Sequence, residues 1–202
     1  VTEEEVKILI DQGARSGVFE EMEQDMIESV FRLADRKVNA IMTTRPEMVS
    51  LNLDDPQEVN WAKVKESGHS NFPVYRANAD NILGIASIKT LWAKLAAGQP
   101  ADLKQSLSQP LFVPENMPAF RLLKRLKKTG KHVALVIDEY GTIQGLATPH
   151  DIFKSIVGEL APGETGEPSA CVMREDGSWL LDGMMPIDEF KSLFHLSELP
   201  QE

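Results

Sequence analysis

The stretch from Gly145 to Asp151 carries the residue types best suited to chemistry. Gly145 lies near the end of an apolar run, and Thr148, Pro149 and Asp151 follow it closely. This order is typical of a strand that turns into a helix, with a hydroxyl, a proline and a carboxylate at the helix start. Free amides at a helix start favour a phosphate, and a carboxylate can accept hydrogen bonds from both hydroxyls of a ribose. The pattern therefore indicates a nucleotide-binding site.

The same residues also have a structural interpretation. Thr148 and Asp151 have the spacing of a capping box, in which the hydroxyl and the carboxylate satisfy free amides of the first helical turn. Pro149 suits the first helical position because its missing N–H is not needed there. On this interpretation the stretch completes a fold and binds no ligand. The motif alone leaves both interpretations open.

An internal repeat surrounds this motif. Residues 84–91 align with residues 145–152 at an offset of 61, and residues 72–75 align with 133–136 at the same offset. Each repeat is predicted to contain a short strand, a helix, two strands and a second helix, which makes the fold class α+β. Units of about 60 residues are small for separate cores, so we expect the two to pack sheet to sheet about a pseudo-twofold axis.

The repeat makes the two candidate sites unequal. At the position of Asp151 the first repeat has Thr90, although Ser87 keeps a capping hydroxyl at the helix start. A threonine cannot supply the charged acceptor that a ribose would need. The sequence therefore favours one competent nucleotide site, in the second repeat.

Both flanks of the repeat differ from it in composition. Residues 1–36 contain ten acids and four bases and predict an acidic helical lead-in. Glycine and proline between residues 162 and 168 predict a linker, and a hairpin followed by a helix is expected after it. The predicted divisions are the lead-in at 1–37, the first unit at 38–100, the second at 101–160, the linker at 161–169 and the start of a truncated third domain at 170–202.

Composition excludes several classes of function. With 21 Lys and Arg against 31 Asp and Glu, the net charge of −10 disfavours nucleic-acid binding over a broad surface. A single cysteine, Cys171, excludes an intramolecular disulfide and suits a reducing compartment. Four scattered histidines give no zinc motif, so we expect no metal site, and no nucleophile or paired-carboxylate motif predicts an enzyme.

Three parts of the sequence together resemble a known family. The doubled unit with its Gly-hydrophobic-x-Thr-x-x-Asp motif, residues 72–75, and Val136–Gly141 resemble a pair of CBS domains of the CorC/haemolysin-C type, related to the cyclin M magnesium transporters. The resemblance extends to the acidic lead-in and the following Val38–Thr43. It also includes Asp176–Gly183, which is similar to the opening of the transporter-associated domain of that family.

The resemblance implies a regulatory role beside a membrane. It implies the cytoplasmic part of a polytopic membrane protein, on the inner face of the plasma membrane, whose transmembrane domain would precede Val1. In this family the CBS pair binds AMP or ATP, often with Mg²⁺, forms homodimers, and is linked to magnesium and cobalt efflux. The module itself is expected to be non-catalytic.

The same resemblance implies which residues contact the nucleotide. Thr43 matches a phosphate- or ribose-contacting position, Thr148 the phosphate-contacting hydroxyl, and Asp151 the ribose ligand, with Pro149 between them. The strand formed by Val133, Ala134 and Leu135 would lie beside adenine. Thr44 stands where many relatives have proline, and Arg45 is either a phosphate ligand or an exposed loop residue.

A basic stripe and a ligand-free alternative remain. Arg121, Lys124, Arg125 and Lys128 recur at helical spacing, and this stripe is a solvated face, a surface for anionic headgroups, or a partner for the acidic lead-in of a neighbouring subunit. The alternative function is a ligand-free dimerisation module of a membrane protein, in which Thr148 and Asp151 only cap a helix.

Overall fold

The computed structural model describes residues 2–100, 102–158, 171–174, 178–181, 183, 185, 187–194 and 196. The chain divides into two compact units, Val1–Val157 and Gly158–Glu202. The predicted linker at 161–169 lies outside the described residues. No helix in the described part of the chain has the length and apolar character needed to cross a bilayer.

Helices and strands alternate along the first unit, and a hairpin and a helix follow in the second. The helices are α1 Glu3–Arg15, α2 Glu21–Asp35, α3 Gln57–Ser67, α4 Ile88–Ala96, α5 Ala119–Thr129, α6 Pro149–Val157 and α7 Ile187–Leu193. The strands are β1 Thr43–Thr44, β2 Leu51–Asn52, β3 Asn71–Arg76, β4 Asn78–Ser87, β5 Leu107–Ser108, β6 Leu111–Pro114, β7 Ala134–Ile137, β8 Ile143–Ala147, β9 Cys171–Met173 and β10 Trp179–Leu181.

The two repeats exchange their edge strands. One sheet has the order β2-β3-β4-β5 and the other β1-β8-β7-β6. Strand β1 opens the first repeat, ahead of β2, but pairs with β8 of the second, and β5 opens the second repeat, ahead of β6, but pairs with β4 of the first. In both sheets the remaining pairs are one parallel and one antiparallel. The predicted α+β pair with pseudo-twofold symmetry is confirmed.

Equivalent helices of the two repeats begin and end alike. Pro56 and Pro118 precede α3 and α5 with extended ψ angles of 146° and 137°. Gly68 and Gly130 end these helices at φ 66° and 64°, a left-handed conformation that glycine adopts without a Cβ clash. Each proline is the cap residue whose carbonyl accepts the first helical hydrogen bonds, so its missing N–H costs nothing there.

The hydrophobic core has three parts. One cluster belongs to the first repeat and is centred on Phe72 and Val74. A second lies against the helices of the second repeat and includes Leu122, Leu126, Ala134 and Val136. The third joins the repeats, because Ile85 of β4 packs with Val133, Leu135 and Ile143. Alternate residues of β7 therefore serve two different clusters, as expected for a strand covered on both faces.

The acidic lead-in is anchored to the second repeat at its end. Leu33 of α2 is fully buried in the cluster that also contains Leu122 and Ile152. The backbone continues this attachment, since Val38 N donates to Met117 O at 2.9 Å and Ala119 N donates to Arg36 O at 3.0 Å. The predicted capping box at Thr2 is present, with Thr2 N 2.9 Å from Glu5 Oε2. Helix α2 thus contributes to the core, whereas Ile8 and Leu9 of α1 stay exposed.

The second unit contains the predicted hairpin and helix. Strands β9 and β10 pair antiparallel, with Trp179 opposite Met173 and Leu181 opposite Cys171. The ring of Trp179 meets that of Phe194 edge to face, with centroids 5.8 Å apart, a favoured aromatic geometry. The hairpin turn at 175–177 lies outside the described residues.

Candidate nucleotide-binding site

The exchange of β1 brings the start of the first repeat to the end of the second. Thr43 lies opposite Leu146 and Thr44 opposite Gly145 in the antiparallel β1–β8 pair. A side chain on Gly145 would overlap the carbonyl oxygen of Thr43 and would approach Met42 Sδ to 3.1 Å. Glycine at position 145 is therefore required for β1 to pair with β8. This pairing places Thr43 opposite Leu146, which is two positions before Thr148 in the chain.

Thr148 and Asp151 form a complete capping box at the start of α6. Asp151 Oδ2 accepts hydrogen bonds from Thr148 N at 2.7 Å and from Thr148 Oγ1 at 2.8 Å. In return, Asp151 N donates to Thr148 Oγ1 at 3.3 Å. The bonds that Asp151 accepts from Thr148 both end on Oδ2, so these capping bonds do not use Oδ1. Ligand binding through Oδ1 would therefore leave the capping bonds in place.

The environment of Asp151 alters its proton affinity. Burial raises the pKa of Asp151 above its ordinary value, and the side-chain and backbone hydrogen bonds from Thr148 act in the opposite direction. The folded protein therefore holds this proton more tightly than the unfolded chain does. Protonation of Asp151 favours folding at low pH, and this contribution is lost as the pH rises through the folded pKa.

The raised pKa of Asp151 predicts acid-sensitive nucleotide binding. A carboxylate accepts ribose hydroxyls better than a carboxylic acid does, so AMP affinity should fall on acidification while the pH is still above the ordinary aspartate pKa of about 3.9. The measurement is calorimetric AMP titration over a pH series for wild type and Asp151→Asn. The variant cannot titrate at this position, so its profile reports the phosphate and the other titrating groups without Asp151, and coincident profiles would contradict the prediction.

A groove opens beside the start of α6. Its volume is about 200 Å³, and it extends from Pro149 to the end of α5. Lys127, Lys131 and His132 line it together with Leu123 and Leu126. No motif in the sequence marks His132 for this position, although His132 immediately precedes the strand predicted to lie beside adenine. The groove combines an apolar wall with positive charge next to Pro149.

The three predicted adenine-contacting residues lie in the protein interior. Ala134 and Leu135 are fully buried, and Val133 is 4% exposed. Leu135 and Val133 pack against Ile85 of the other sheet, whereas Ala134 faces the helices. Their side chains are committed to the core, so contact with a base would come through the backbone. Their placement beside adenine stays a prediction.

Arg45 already has a carboxylate partner. Its Nη1 lies 2.7 Å from Asp80 Oδ1 and donates to Ile143 O at 3.4 Å. Arg45 and Asp80 are each about 40% exposed, so this ion pair contributes little to stability. Nearby, Thr44 N and Thr44 Oγ1 both donate to Glu47 Oε2, at 3.0 and 2.8 Å. A phosphate at Arg45 would have to compete with the Asp80 carboxylate for the guanidinium.

The equivalent position of the first repeat is less polar. Ser87 is the cap residue of α4 but makes no side-chain capping hydrogen bond, and Thr90 occupies the place of Asp151. The structure thus contains one complete Thr–Asp box among the two equivalent helix starts. Within the described residues, no group of three His, Cys, Asp or Glu side chains converges as metal ligands would.

Comparison with solved structures gives close matches. A family profile for the CBS domain matches residues 102–158. The CBS domain of a bacterial CNNM/CorC family Mg²⁺ transporter is 37% identical, with a TM-score of 0.69 over 80% of this chain and 99% of that domain. The same kind of domain in complex with ATP is 38% identical, with a TM-score of 0.60 over 68% and 99%. A CBS-domain pair with bound AMP from Klebsiella pneumoniae is 30% identical, with a TM-score of 0.55 over 60% and 98%.

Curated relatives match over the whole chain. A UPF0053 protein of Synechocystis is 40% identical over 100% of this chain and 45% of its own length. The polyamine export protein of Salmonella typhimurium is 30% identical, again over 100% of this chain and 45% of its own length. The chain therefore spans just under half the length of these relatives.

The strand exchange, the repeat and the family match define a CBS-domain pair. This chain covers 99% of the solved CBS domain of the CNNM/CorC family transporter at 37% identity. The chain therefore belongs to the CNNM/CorC family of CBS-containing proteins. The resemblance drawn from the sequence is thereby confirmed.

Proposed function

We propose that this chain is the adenine-nucleotide-sensing regulatory module of a CNNM/CorC-type membrane transporter. The observation that carries the proposal is the β1–β8 pair, which brings Thr43 of the first repeat to the strand that ends at Thr148. Hydroxyls at positions 43 and 148 and a carboxylate at position 151 match the hydrogen-bonding needs of phosphate and ribose. A nucleotide bound there would contact both repeats.

The geometry of α6 suggests how the two ends of a nucleotide would bind. Asp151 Oδ1 would accept ribose hydroxyls while Oδ2 keeps the capping bonds. Pro149 has no amide hydrogen, and the capping box uses the amides of Thr148 and Asp151, so the amide of His150 is the one left in this turn for a phosphate. The related CBS domains solved with ATP and with AMP support adenine nucleotides as the ligand class.

Regulation would follow from the exchanged strands. A ligand held between β1 and α6 favours the packing of the two repeats in which β1 and α6 lie close together. It shifts the equilibrium between this packing and a more separated one by the difference in its affinity for the two. The module would act without catalysis, from the cytoplasmic face of the membrane. Mg²⁺, where it takes part, would arrive on the nucleotide phosphates.

The transported solute is proposed as a cation. The sequence resemblance implies magnesium and cobalt efflux, the solved relative is a CBS domain of a Mg²⁺ transporter, and a curated relative is a polyamine export protein. Metal ions and polyamines share positive charge. The residues of the CBS pair respond to the nucleotide, so they do not choose between these solutes.

Calorimetric titration with AMP and ATP, each with and without Mg²⁺, tests the nucleotide proposal. Saturable binding at one site per chain is the expected result. Absence of binding by all four ligands would contradict it.

We further propose that the module forms a homodimer through α4 and α6. Trp92 and Phe153 occupy equivalent positions of these helices and are 65% and 55% exposed. Large aromatic side chains with this exposure are typical of interface anchors. Their relation by the internal pseudo-twofold axis suits a symmetric partner, which is a second copy of this chain.

Substitution of both aromatics should dissociate this dimer. Trp92→Ser with Phe153→Ser is expected to raise the dimer dissociation constant at least about tenfold, because each change removes an anchor from both subunits. Sedimentation velocity over a concentration series provides the measurement. Tyr140→Ser is the control, since Tyr140 is 92% exposed but lies in the β7–β8 turn. An unchanged dissociation constant in the double variant would place the interface elsewhere.

The alternative of a ligand-free dimerisation module is favoured by the complete capping box. Under it, Asp151→Ala lowers stability by about 1 kcal/mol, as expected for a lost cap, and no nucleotide raises the melting temperature. A thermal scan with AMP and ATP separates the two functions, because a bound ligand stabilises the folded state by mass action.

A further inference from the structure

Helix α5 presents a row of positively charged side chains. Arg121, Lys124, Arg125 and Lys128 are all exposed. Their spacing places them on the side of the helix opposite the buried Leu122 and Leu126. Within the described ranges, none of the four side chains has an ion pair or hydrogen bond. They are called the basic stripe below.

The fold does not require the basic stripe. Helix α3 is the equivalent helix of the first repeat, and the four corresponding positions there hold Val59, Ala62, Lys63 and Glu66. Lys63 is the one cation among them, and its Nζ lies 3.1 Å from Asp55 Oδ2. A charge pattern needed for helix stability or core packing would be expected in both helices. The basic stripe is therefore specific to one side of a pseudosymmetric molecule.

The stripe is compact enough to act as a unit. Seven residues separate Arg121 from Lys128, which corresponds to about 10 Å along a helix. This distance is close to the Debye length of about 8 Å at physiological ionic strength. The electrostatic potentials of the four charges therefore overlap, and all four attract the same patch of an anionic surface. The sequence from Phe120 to Lys131 contains no acid that would neutralise them.

We propose that the basic stripe of α5 binds the surface of a bilayer that contains anionic phospholipid. This inference rests on the membrane attachment stated under the proposed function. Protein interfaces have an apolar centre, but no large hydrophobic residue between 115 and 131 is exposed. Binding to a charged lipid surface needs no such centre.

Vesicle flotation of the 202-residue chain tests the proposal. Vesicles of phosphatidylglycerol mixed with phosphatidylcholine should bind the protein, and vesicles of phosphatidylcholine alone should not. Replacing Lys124, Arg125 and Lys128 by Gln should reduce binding by at least about tenfold, since each basic residue near such a surface contributes roughly fivefold. Raising the salt from about 0.1 M to about 0.5 M should also release the protein.

A charge-matched variant provides the control. Lys65, Lys89 and Lys104 are exposed and lie outside α5, so their replacement by Gln changes the net charge equally and should leave vesicle binding within about twofold of wild type. Equal losses in the two triple variants would overturn the proposal. Failure of the wild-type protein to float with vesicles that contain phosphatidylglycerol would also overturn it. That includes the outcome in which the basic stripe binds an acidic peptide of residues 1–36 and does not bind the vesicles.

The nucleotide titration separates this inference from the proposed function. The α5 triple variant should bind AMP and ATP as wild type does, because none of its three residues belongs to the candidate nucleotide site. If the wild-type protein binds vesicles but not nucleotide, lipid binding by the basic stripe is supported and the nucleotide proposal is contradicted. If it binds nucleotide but not vesicles, the nucleotide proposal is supported and lipid binding is contradicted.

Discussion

Asp151→Asn is expected to weaken adenine-nucleotide binding by about 10- to 100-fold. The change removes the charge from the acceptor of two ribose hydrogen bonds, and hydrogen bonds to charged groups contribute about 1.5–3 kcal/mol, less when they are shared on one carboxylate. The amide oxygen of Asn can still accept from Thr148, so the capping geometry is largely retained. Calorimetric titration with AMP and ATP measures the loss directly.

Stability measurements separate binding from capping in this variant. If Asp151 serves the ligand, Asp151→Asn loses affinity while its free energy of unfolding changes by less than about 1 kcal/mol. If Asp151 serves only the helix, Asp151→Asn binds nucleotide as wild type does, and Asp151→Ala, which removes the cap, loses about 1 kcal/mol of stability. The second outcome would remove Asp151 from the site.

The first repeat offers a reciprocal substitution. Thr90→Asp restores the missing carboxylate at the start of α4, where Ser87 already supplies a hydroxyl. We expect a second, weaker binding event in the titration if the carboxylate is what makes the two sites unequal. An unchanged stoichiometry would show that other differences between the repeats, such as Arg45 and its Asp80 partner, also matter.

Gly145→Ala is expected to destabilise the protein by about 1–3 kcal/mol and to abolish measurable nucleotide binding. The new methyl group would overlap the backbone carbonyl of Thr43, which cannot rotate away as a side chain would. Relief requires β1 to separate from β8, and this separation moves Thr43 away from Thr148. Chemical denaturation and AMP titration of the same sample measure the two effects.

Gly84→Ala is the matched control for this prediction. Gly84 is the equivalent residue of the first repeat, and an added Cβ there would approach Leu107 Cβ to 2.7 Å and Ser108 O to 3.0 Å. This variant should also lose stability, because it strains the β4–β5 pair. The β1–β8 pair stays intact, so AMP affinity should remain near that of wild type. Equal loss of affinity in both variants would show that global destabilisation, rather than displacement of Thr43, is responsible.

Local sequence signals predicted most of the elements. The offset between residues 84–91 and 145–152 revealed the repeat, and the two strands predicted in the second repeat are present as the antiparallel pair β7 and β8. Strands β1 and β5 have two residues each, which is too short to give a periodic signal. Their exchange depends on pairing between residues about one hundred positions apart for β1 and β8, and no local pattern reports such a contact.

In the candidate site, too, the local contacts were predictable from the sequence and the long-range contacts were not. The spacing of Thr148 and Asp151 indicated their hydrogen bonds because those bonds are local to one helical turn. The partner of Arg45 was not predictable, since Asp80 is distant in sequence and reaches it through the folding of the first repeat. Burial of Leu135 likewise depends on the packing of the two sheets, and burial of Ala134 depends on the helices that cover the other face of β7.

The crossing of β1 and β5 also limits how this protein can be divided or recombined. A gene segment that encodes one repeat together with the short strand before it would contain an edge strand that belongs to the sheet of the missing repeat. The sheet of the encoded repeat would lack one of its own strands. Chimeras that swap one repeat between homologues must therefore move the preceding strand with the opposite half. The duplicated pair, rather than the single repeat, is the smallest portion that inheritance or engineering can transfer intact.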